Sequence, residues 1–505
     1  MFFVDTIEVA GLGNRSYLAG GALTAVAVDP PRDIDRVIAA AALRGVRISH
    51  VAETHVHNDY VTGGLELARV TGADYLVPAG ARVSFARVPV RDGDRTEIDA
   101  VGGLGLRALA TPGHTPHHTS YVLEEDGAAV AVFTGGALLI GTVGRPDLVE
   151  PRLTAHLARA QHASAHRLAA ELPDETAVLP THGFGSFCSS SRVAAGDGGD
   201  TTIGKEKANN EALTRDVDTF VADLLAGLDD VPAYYAHMGP ANSAGPEPLD
   251  LTPPTVADAD EIAARLAAGE WVVDLRNRVA FAEGHVAGSF NFEAEGQLAT
   301  YLAWLIPWGR PLTLLAESAG QLLTAQRELA RVGIDRPAAA ATGDPSSWVR
   351  AGEAPVSFPR ATFADLADRR RDGQVVVLDV RRDSERAGGF VEGSLHIPVH
   401  ALHRRLAEVP GGQVWVHCAG GMRAAIAASL LDAAGRDVVA VDDAFDAAEK
   451  AGLTVRTVSA VGGADRAVEP VQARTRQGRC TAGRRAHRAR GRCPAGRRRR
   501  TAGRP

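Results

Sequence analysis

The chain has 505 residues, enough for about three domains at about 100–200 residues each. Its content, 45% apolar and 23% charged, is that of an ordinary globular protein, and no apolar run reaches the roughly 18 residues that cross a bilayer. The net charge of −7 divides unevenly: residues 471–505 hold 13 Arg and no acid, so the remainder carries −20, a balance that repels nucleic acid.

The opening residues, MFFVDTIEVAGLG, bring an early acid and no basic stretch, which is not the pattern of a signal peptide, so the cytoplasm is the expected compartment. AVAVDP (25–30) reads as a buried strand closing at a turn. IDRVIAAAALRG (34–45) has helical spacing and stops at Gly45, and VRISHVAETHVH (46–57) is a strand running into two histidines. His55, His57 and Asp59 therefore lie on a loop at a strand end, where α/β proteins place their chemistry. In TPGHTPHHTSYVL (111–123) the Pro112-Gly113 turn presents His114, and LPTHGFGSFC (179–188) presents His182. Imidazole and carboxylate suit zinc, iron or manganese. His162 and His166 read as surface residues of a helix and Cys188 as a small buried residue, but three glycine-punctuated loops bearing histidine point to a metal site.

GPANSAGPEPLDLTPP (239–254) is a Pro-rich linker. Beyond it VVDLRNRVAFAEGHVAGSFNF (272–292) resembles VLDVRRDSERAGGFVEGSLHI (377–397). Asp274 and Asp379, Gly288 and Gly393, and Ser289 and Ser394 pair at a constant offset of 105, the mark of a tandem α/β unit. In the second copy VWVHCAGGMRAAIAASLL (414–431) predicts a buried strand, a six-residue loop from Cys418 to Arg423, and a helix. Gly420 and Gly421 let backbone N–H groups turn toward the sulfur. The helix points its positive end the same way, which favours a thiolate able to attack sulfur. Four residues separate Cys418 from Arg423, one fewer than a protein tyrosine phosphatase needs to cradle phosphate. The matching stretch of the first copy, LTLLAESAGQLLTA (312–325), has no cysteine and reads as a spacer or docking domain. The Arg-rich end of the chain lacks hydrophobic periodicity and reads as disordered, with Cys480 and Cys493 incidental.

ETHVHNDYVTGG, TPGHTPHH, FTGGALLIGTVGRPDL (133–148), PTHG and TTIGKEKANNEAL (201–213), in that order, resemble the metallo-β-lactamase fold and, more narrowly, its persulfide dioxygenase branch. The Cys418 loop and its duplicated setting resemble rhodanese, a sulfurtransferase. Together the resemblances imply an α/β chain: a metallo-β-lactamase αββα sandwich over 1–240, a linker over 241–255, a rhodanese-like domain without catalytic cysteine over 256–352, a rhodanese domain with Cys418 over 358–455, both with parallel sheets, and a tail over 456–505.

The resemblance implies one Fe(II) per chain, held by His55, His114 and the carboxylate of a TGD motif. Tyr60 stands where dizinc relatives carry a further histidine, which fits a single metal. The TGD position here reads Thr134-Gly135-Gly136, so the third ligand is missing at Gly136. Asp59 or Asp147 is open to take its place. Alternatively His55, His57 and His114, with His182 nearby, form a zinc site as in hydrolytic members, or the domain has lost its metal. The implied chemistry is oxidation of a low-molecular-weight persulfide, such as glutathione persulfide, to sulfite with O2. Cys418 moves sulfane sulfur between thiosulfate, sulfite and thiols. Cys418 and Arg423 are the expected catalytic residues. Arg145, Gly420 and Gly421 are expected to contact substrate, Arg145 being equally suited to an ion pair with Asp147. The rivals are a zinc-dependent thioester hydrolase and a sulfurtransferase with an inactive metal domain. Expected partners are a persulfide or thiosulfate, glutathione or a similar thiol, O2 and a second copy of the chain, with no nucleic acid and no membrane.

Overall fold

The apolar runs before residue 240 build two six-stranded sheets in a computed structural model that describes residues 2–190 and 200–457. The first sheet takes its strands in chain order: Phe3–Val9, Asn14–Gly20, Thr24–Val28, Arg47–Ala52, Asp74–Pro78 and Val88–Val90. Its first three strands are antiparallel and the rest parallel. The second sheet runs Thr201–Thr202, Ala177–Pro180, Ala128–Gly135, Thr119–Glu125, Leu104–Ala110 and Arg95–Asp99. Alternating side chains give each sheet two faces. Tyr17, Val26, Val28 and Leu76 meet Leu106, Tyr121, Leu123 and Phe133 between the sheets. The helices Asp35–Arg44 and Gly64–Thr71 cover the outer face of the first, and Thr154–Glu171 and Val217–Ala226 that of the second. The result is an αββα sandwich.

Two five-stranded parallel sheets follow. The first orders Thr255–Val256, Ala339–Thr342, Leu312–Ala316, Trp271–Asp274 and Phe290–Asn291. The second orders Arg360–Ala361, Val438–Val441, Val414–His417, Val376–Asp379 and Leu395–His396. Taken in chain rank, both sheets have the same strand order, so the repeat in sequence is also a repeat in topology. Their helices share one core, which holds Phe281, Leu302 and Leu329 beside Leu402, Cys418 and Leu430.

The linker begins later than its composition suggests. A helix spans Tyr235–Ala244 with Pro240 inside it, because Asn242 holds its last turn against the histidine loop: its Nδ2 donates to His57 O at 2.9 Å and Tyr60 O at 2.8 Å. The Arg-rich stretch from 458 onward, with Cys480 and Cys493, lies outside the described residues; Val455–Arg456 form a short strand against Phe390–Val391. Among the described residues no helix is long and apolar enough to cross a membrane.

One turn of the sandwich is fastened by buried ion pairs to the end of the helix Ala319–Arg331. Asp33, buried after the strand Thr24–Val28, accepts from Arg331 Nε at 2.9 Å and Nη2 at 2.6 Å, while its neighbour Arg32 pairs with Asp335 in the reverse sense. Both Asp33 and Arg331 are out of solvent, so removing one partner strands a buried charge. Arg331→Ala is expected to cost about 3 kcal/mol or more, read as a lowered urea midpoint for unfolding.

Candidate functional site

The strand Thr24–Val28 stops at Asp29-Pro30, and Asp29 takes a left-handed backbone with φ +48°, a conformation Asp tolerates better than most side chains. Its buried carboxylate accepts Thr54 N and Thr54 Oγ1, both at 2.7 Å, and the Thr181 hydroxyl. The residue before His55 and the residue before His182 are thus tied to one anion. Glu53 supports the same loop. Its Oε1 accepts Thr62 Oγ1 at 2.6 Å and Tyr75 Oη at 2.9 Å, and its Oε2 lies 3.1 Å from His57 Nε2. Tyr60 is not turned to a ligand role: its hydroxyl donates to Asp29 O at 3.1 Å.

Five buried imidazoles converge here: His118 spends both nitrogens on the protein, its Nε2 accepting from Gly136 N at 3.0 Å and its Nδ1 bonding Thr111 Oγ1 at 2.9 Å, and each of the other four has one nitrogen held from outside. Thr54 Oγ1 donates to Asp29, so it accepts from His55 Nδ1 at 2.8 Å. Arg145 O can only accept, so His114 Nδ1 donates to it at 2.8 Å. Asn14 Nδ2 donates to Asp59 Oδ2, leaving Asn14 Oδ1 to accept from His182 Nδ1 at 3.0 Å. His57 Nε2 faces Glu53 and, at 3.3 Å, Asp29. These partners fix the tautomers and leave His55 Nε2 and His182 Nε2 facing each other, 3.4 Å apart, as two lone pairs. His114 Nε2 and His57 Nδ1 are buried with no hydrogen-bond partner. Inward lone pairs braced by outer hydrogen bonds are what a metal cation requires, and this donor set fits one.

The charges agree with that reading. Burial and the neighbouring histidines hold His55 well below the ordinary imidazole range, and burial brings His114 down to about 3, so both are neutral, the form that binds metal. Burial also pushes His57 down, but Asp29 and Glu53 outweigh it and raise it to about 10; its Nδ1 proton is the one a cation would displace. Burial pushes Asp29 up, and His57, Thr181 and Thr54 together outweigh this and keep it ionised.

The residues proposed to complete a carboxylate set fare differently. A Cβ at Gly136 would lie 2.3 Å from His114 Cδ2 and 2.5 Å from Cγ. The space of a side chain at 136 is filled by the His114 ring itself. Asp147 is turned away: both its oxygens accept from Arg145, at 2.7 and 2.8 Å. Arg145 is buried and also donates to Asp229 O at 2.6 Å and Phe187 O at 3.4 Å, so its donors serve the protein. Asp59 stays at the centre, its Oδ2 also 3.3 Å from His182 Nδ1. His162 bonds Arg215 O and meets the His166 ring at a tilt, with the centroids 4.4 Å apart. Asp29, Glu53, Asn14 and Asn242 were missed from sequence; the Asp-Pro pair closing an apolar strand was the one available sign.

Cys418 sits at the end of the strand Val414–His417, almost fully buried, and its Sγ accepts from Gly421 N at 3.1 Å. Gly421 has φ +95°, and a Cβ there would stand 2.0 Å from Asp442 Oδ1, so only glycine closes the loop. The helix Met422–Ala433 starts at once. Arg423 on its first turn pairs with Glu385 at 2.6 and 2.8 Å, which raises the guanidinium against its burial and holds the carboxyl well below its usual range against its own. In the first copy the equivalent helix, Ala319–Arg331, is capped by Ser318 Oγ, with no thiol.

Two outcomes follow. Gly136→Ala drives a methyl into the His114 ring and is expected to cost about 1–3 kcal/mol, read by urea unfolding, and to weaken metal binding in a calorimetric titration. His417, buried between Phe363 and Phe445, is pushed down to about 4 by burial from its ordinary 6.5. The unfolded chain then binds the extra proton first, so this contribution is complete above pH 6.5 and is lost as the pH falls toward 4. His417→Phe is expected to flatten the pH dependence of the urea midpoint over that interval.

Comparison with known proteins agrees with this architecture. The sequence profile of the Metallo-beta-lactamase superfamily matches residues 17–182, and that of the Rhodanese-like domain matches residues 362–451. The human mitochondrial persulfide dioxygenase ETHE1 is 30% identical over 216 residues, 41% of this chain and 74% of that protein. The hydroxyacylglutathione hydrolase of Methylococcus capsulatus is 32% identical over 218 residues, 42% of this chain and 78% of that protein. The crystal structure of a metallo-beta-lactamase from Staphylococcus aureus subsp. aureus COL superposes with a TM-score of 0.60 at 25% identity, covering 68% of this chain and 99% of that one. The chain belongs to the metallo-β-lactamase superfamily, whose fold binds metal ions, and carries a rhodanese-like domain toward its C-terminus.

Proposed function

We propose that the chain is a two-site enzyme of persulfide metabolism. One metal ion, held by His55 and His114 with His57 and His182, serves oxidation of a low-molecular-weight persulfide such as glutathione persulfide, and Cys418 transfers sulfane sulfur. The domains are 1–240, 256–352 and 358–455, and the shared strand order supports reading the middle one as a second rhodanese-like domain that lacks the cysteine. A persulfide dioxygenase among the relatives and a rhodanese-like segment on the same chain support the assignment.

The observation that carries the reading is the joint between the two sites. Phe187, in the loop after His182, meets Trp304 edge-on at 5.2 Å and lies 5.0 Å beneath the Arg382 guanidinium. Arg382 reaches Asp229 at 3.6 Å and Glu385 at 3.1 Å, and Glu385 holds Arg423. Packed side chains therefore run from the histidine loop to the cysteine loop, as suits two reactions on one kind of substrate.

When bound, the metal supplies an electron source and a template for dioxygen chemistry. The chain's own groups orient it: Asp29 and Glu53 hold His57, and Arg145 O holds His114. Persulfide, O2 and water yield thiol, sulfite and two protons. At the second site the Cys418 sulfur attacks the outer sulfur of a persulfide or thiosulfate. The S–S bond breaks, thiolate or sulfite departs, and Gly421 N–H holds the charge left on the loop. Sulfite then accepts that sulfur to give thiosulfate. A second reading, zinc-dependent thioester hydrolysis, is favoured by the absence of a carboxylate at 136 and by the hydrolase among the relatives.

Iron-supplemented protein given glutathione persulfide is expected to take up one O2 per persulfide and release sulfite. Thioester hydrolysis by zinc-loaded protein without O2 uptake would establish the second reading instead. Cys418→Ser is expected to lower sulfur transfer from thiosulfate to glutathione by about a thousandfold or more.

A further inference from the structure

We propose that Cys188 is a ligand of the metal, joining His114 and His182 as the third donor that residue 136 does not supply. The inference rests on the reading that the imidazoles hold a metal, and adds a sulfur donor to it. One ligand atom each from His114, His182 and Cys188 lies within 4.8 Å of the other two. Cys188 is wholly buried and in no disulfide. Its thiol makes a long 3.7 Å contact with Tyr235 Oη and also meets the Asp59 carboxylate, both as donor, so its sulfur lone pairs stay free for a cation. Both imidazoles already spend Nδ1 outward, on Arg145 O and Asn14 Oδ1, which leaves Nε2 of each for a cation. His114 Nε2 is buried without a partner, and a polar nitrogen is not left so at no cost.

The backbone holds the thiol in place. Cys188 O accepts from Arg145 N at 2.8 Å, and Cys188 N donates to Ser186 Oγ at 3.2 Å. Arg145 thus positions two of the three donors, His114 through its carbonyl and Cys188 through its amide. Nitrogen and sulfur donors around one tetrahedral ion stand about 3.3–3.7 Å apart. The 3.4 Å between His55 Nε2 and His182 Nε2 already meets that spacing, and the 4.8 Å that bounds the His114, His182 and Cys188 donors lies about 1 Å above it. Binding releases the thiol proton to solvent. Two imidazoles and a thiolate form a donor set for borderline-soft ions of the zinc and cobalt kind, not for magnesium or calcium, and leave a position open for substrate.

The test uses the full chain with Cys418→Ser, Cys480→Ser and Cys493→Ser, which leaves Cys188 as its sole thiol. Titration with Co(II) is expected to saturate at one ion per chain with an intense near-ultraviolet sulfur-to-cobalt charge-transfer band. Adding Cys188→Ser is expected to remove that band and weaken cobalt binding by about tenfold or more. Cobalt bound at one per chain without the band would overturn the thiolate ligand and leave the imidazole centre standing. No cobalt binding would overturn both. X-ray absorption of the zinc-loaded sole-thiol protein needs no change at 188; a sulfur scatterer at about 2.3 Å is expected, and a shell of nitrogen and oxygen alone would refute the proposal.

Discussion

The buried carboxylate of Asp29 is the point from which the cluster of histidines hangs. A charge held out of water costs several kcal/mol unless its lone pairs are filled, and here they are filled by Thr54, Thr181 and His57, from two loops far apart in sequence. Neither loop can move away without leaving the carboxylate bare. Fixing Thr54 and Thr181 fixes the residues that follow them, His55 and His182, and this brings two nitrogen lone pairs to 3.4 Å. The anion thus imposes the very crowding of like dipoles that a cation relieves. Its left-handed backbone is the local strain that lets the carboxylate face both loops at once.

The same turn carries the second constraint. Four residues past Asp29, Asp33 locks onto Arg331, and Val61 N donates to Arg331 O at 2.7 Å. The cysteine-free middle domain therefore braces both the turn that holds the anion and the loop that follows the histidines. Its other face shares a core with the Cys418 domain, where His285 reaches Asp432 at 3.1 Å and Ser429 Oγ accepts Asn291 N at 3.1 Å. The segment without a nucleophile has a physical task in this arrangement: it sets the spacing between the histidine loop and the cysteine loop. Buried ion pairs suit that task, since their net contribution to stability is small while their geometric demand is strict.

Much of the architecture was legible in sequence because its signals are local. Alternating apolar residues mark the strands, and glycines and prolines mark their ends. The offset of 105 between Asp274 and Asp379 runs alongside a strand order that the two five-stranded sheets have in common. The histidine loops were legible for the same reason. What could not be read is long-range. Asp29 looks like any strand-end residue until Thr181 is folded against it, and Asn242 looks like linker until its amide meets the carbonyls of His57 and Tyr60. Arg145 offered two roles in sequence, and only burial beside Asp147 and Asp229 O separates them.

Gly136 is the sharpest instance of that limit. In sequence it is a missing ligand and nothing else. In the fold it is room: the His114 ring lies where its Cβ would be, and Gly144, whose N–H donates to Gly136 O at 2.9 Å, would bring a Cβ within 2.7 Å of His114 Nδ1. Two glycines, hydrogen-bonded to each other, make a slot for the imidazole. With His114 in that slot, a carboxylate at 136 and the ring compete for one volume, so the site cannot gain the acid by simple restoration. The loss of a side chain at 136 and the seating of His114 are one packing solution. A centre built that way must find its remaining donors among groups that reach the ring from elsewhere, and the fold supplies His55, His182 and the thiol of Cys188 within that reach.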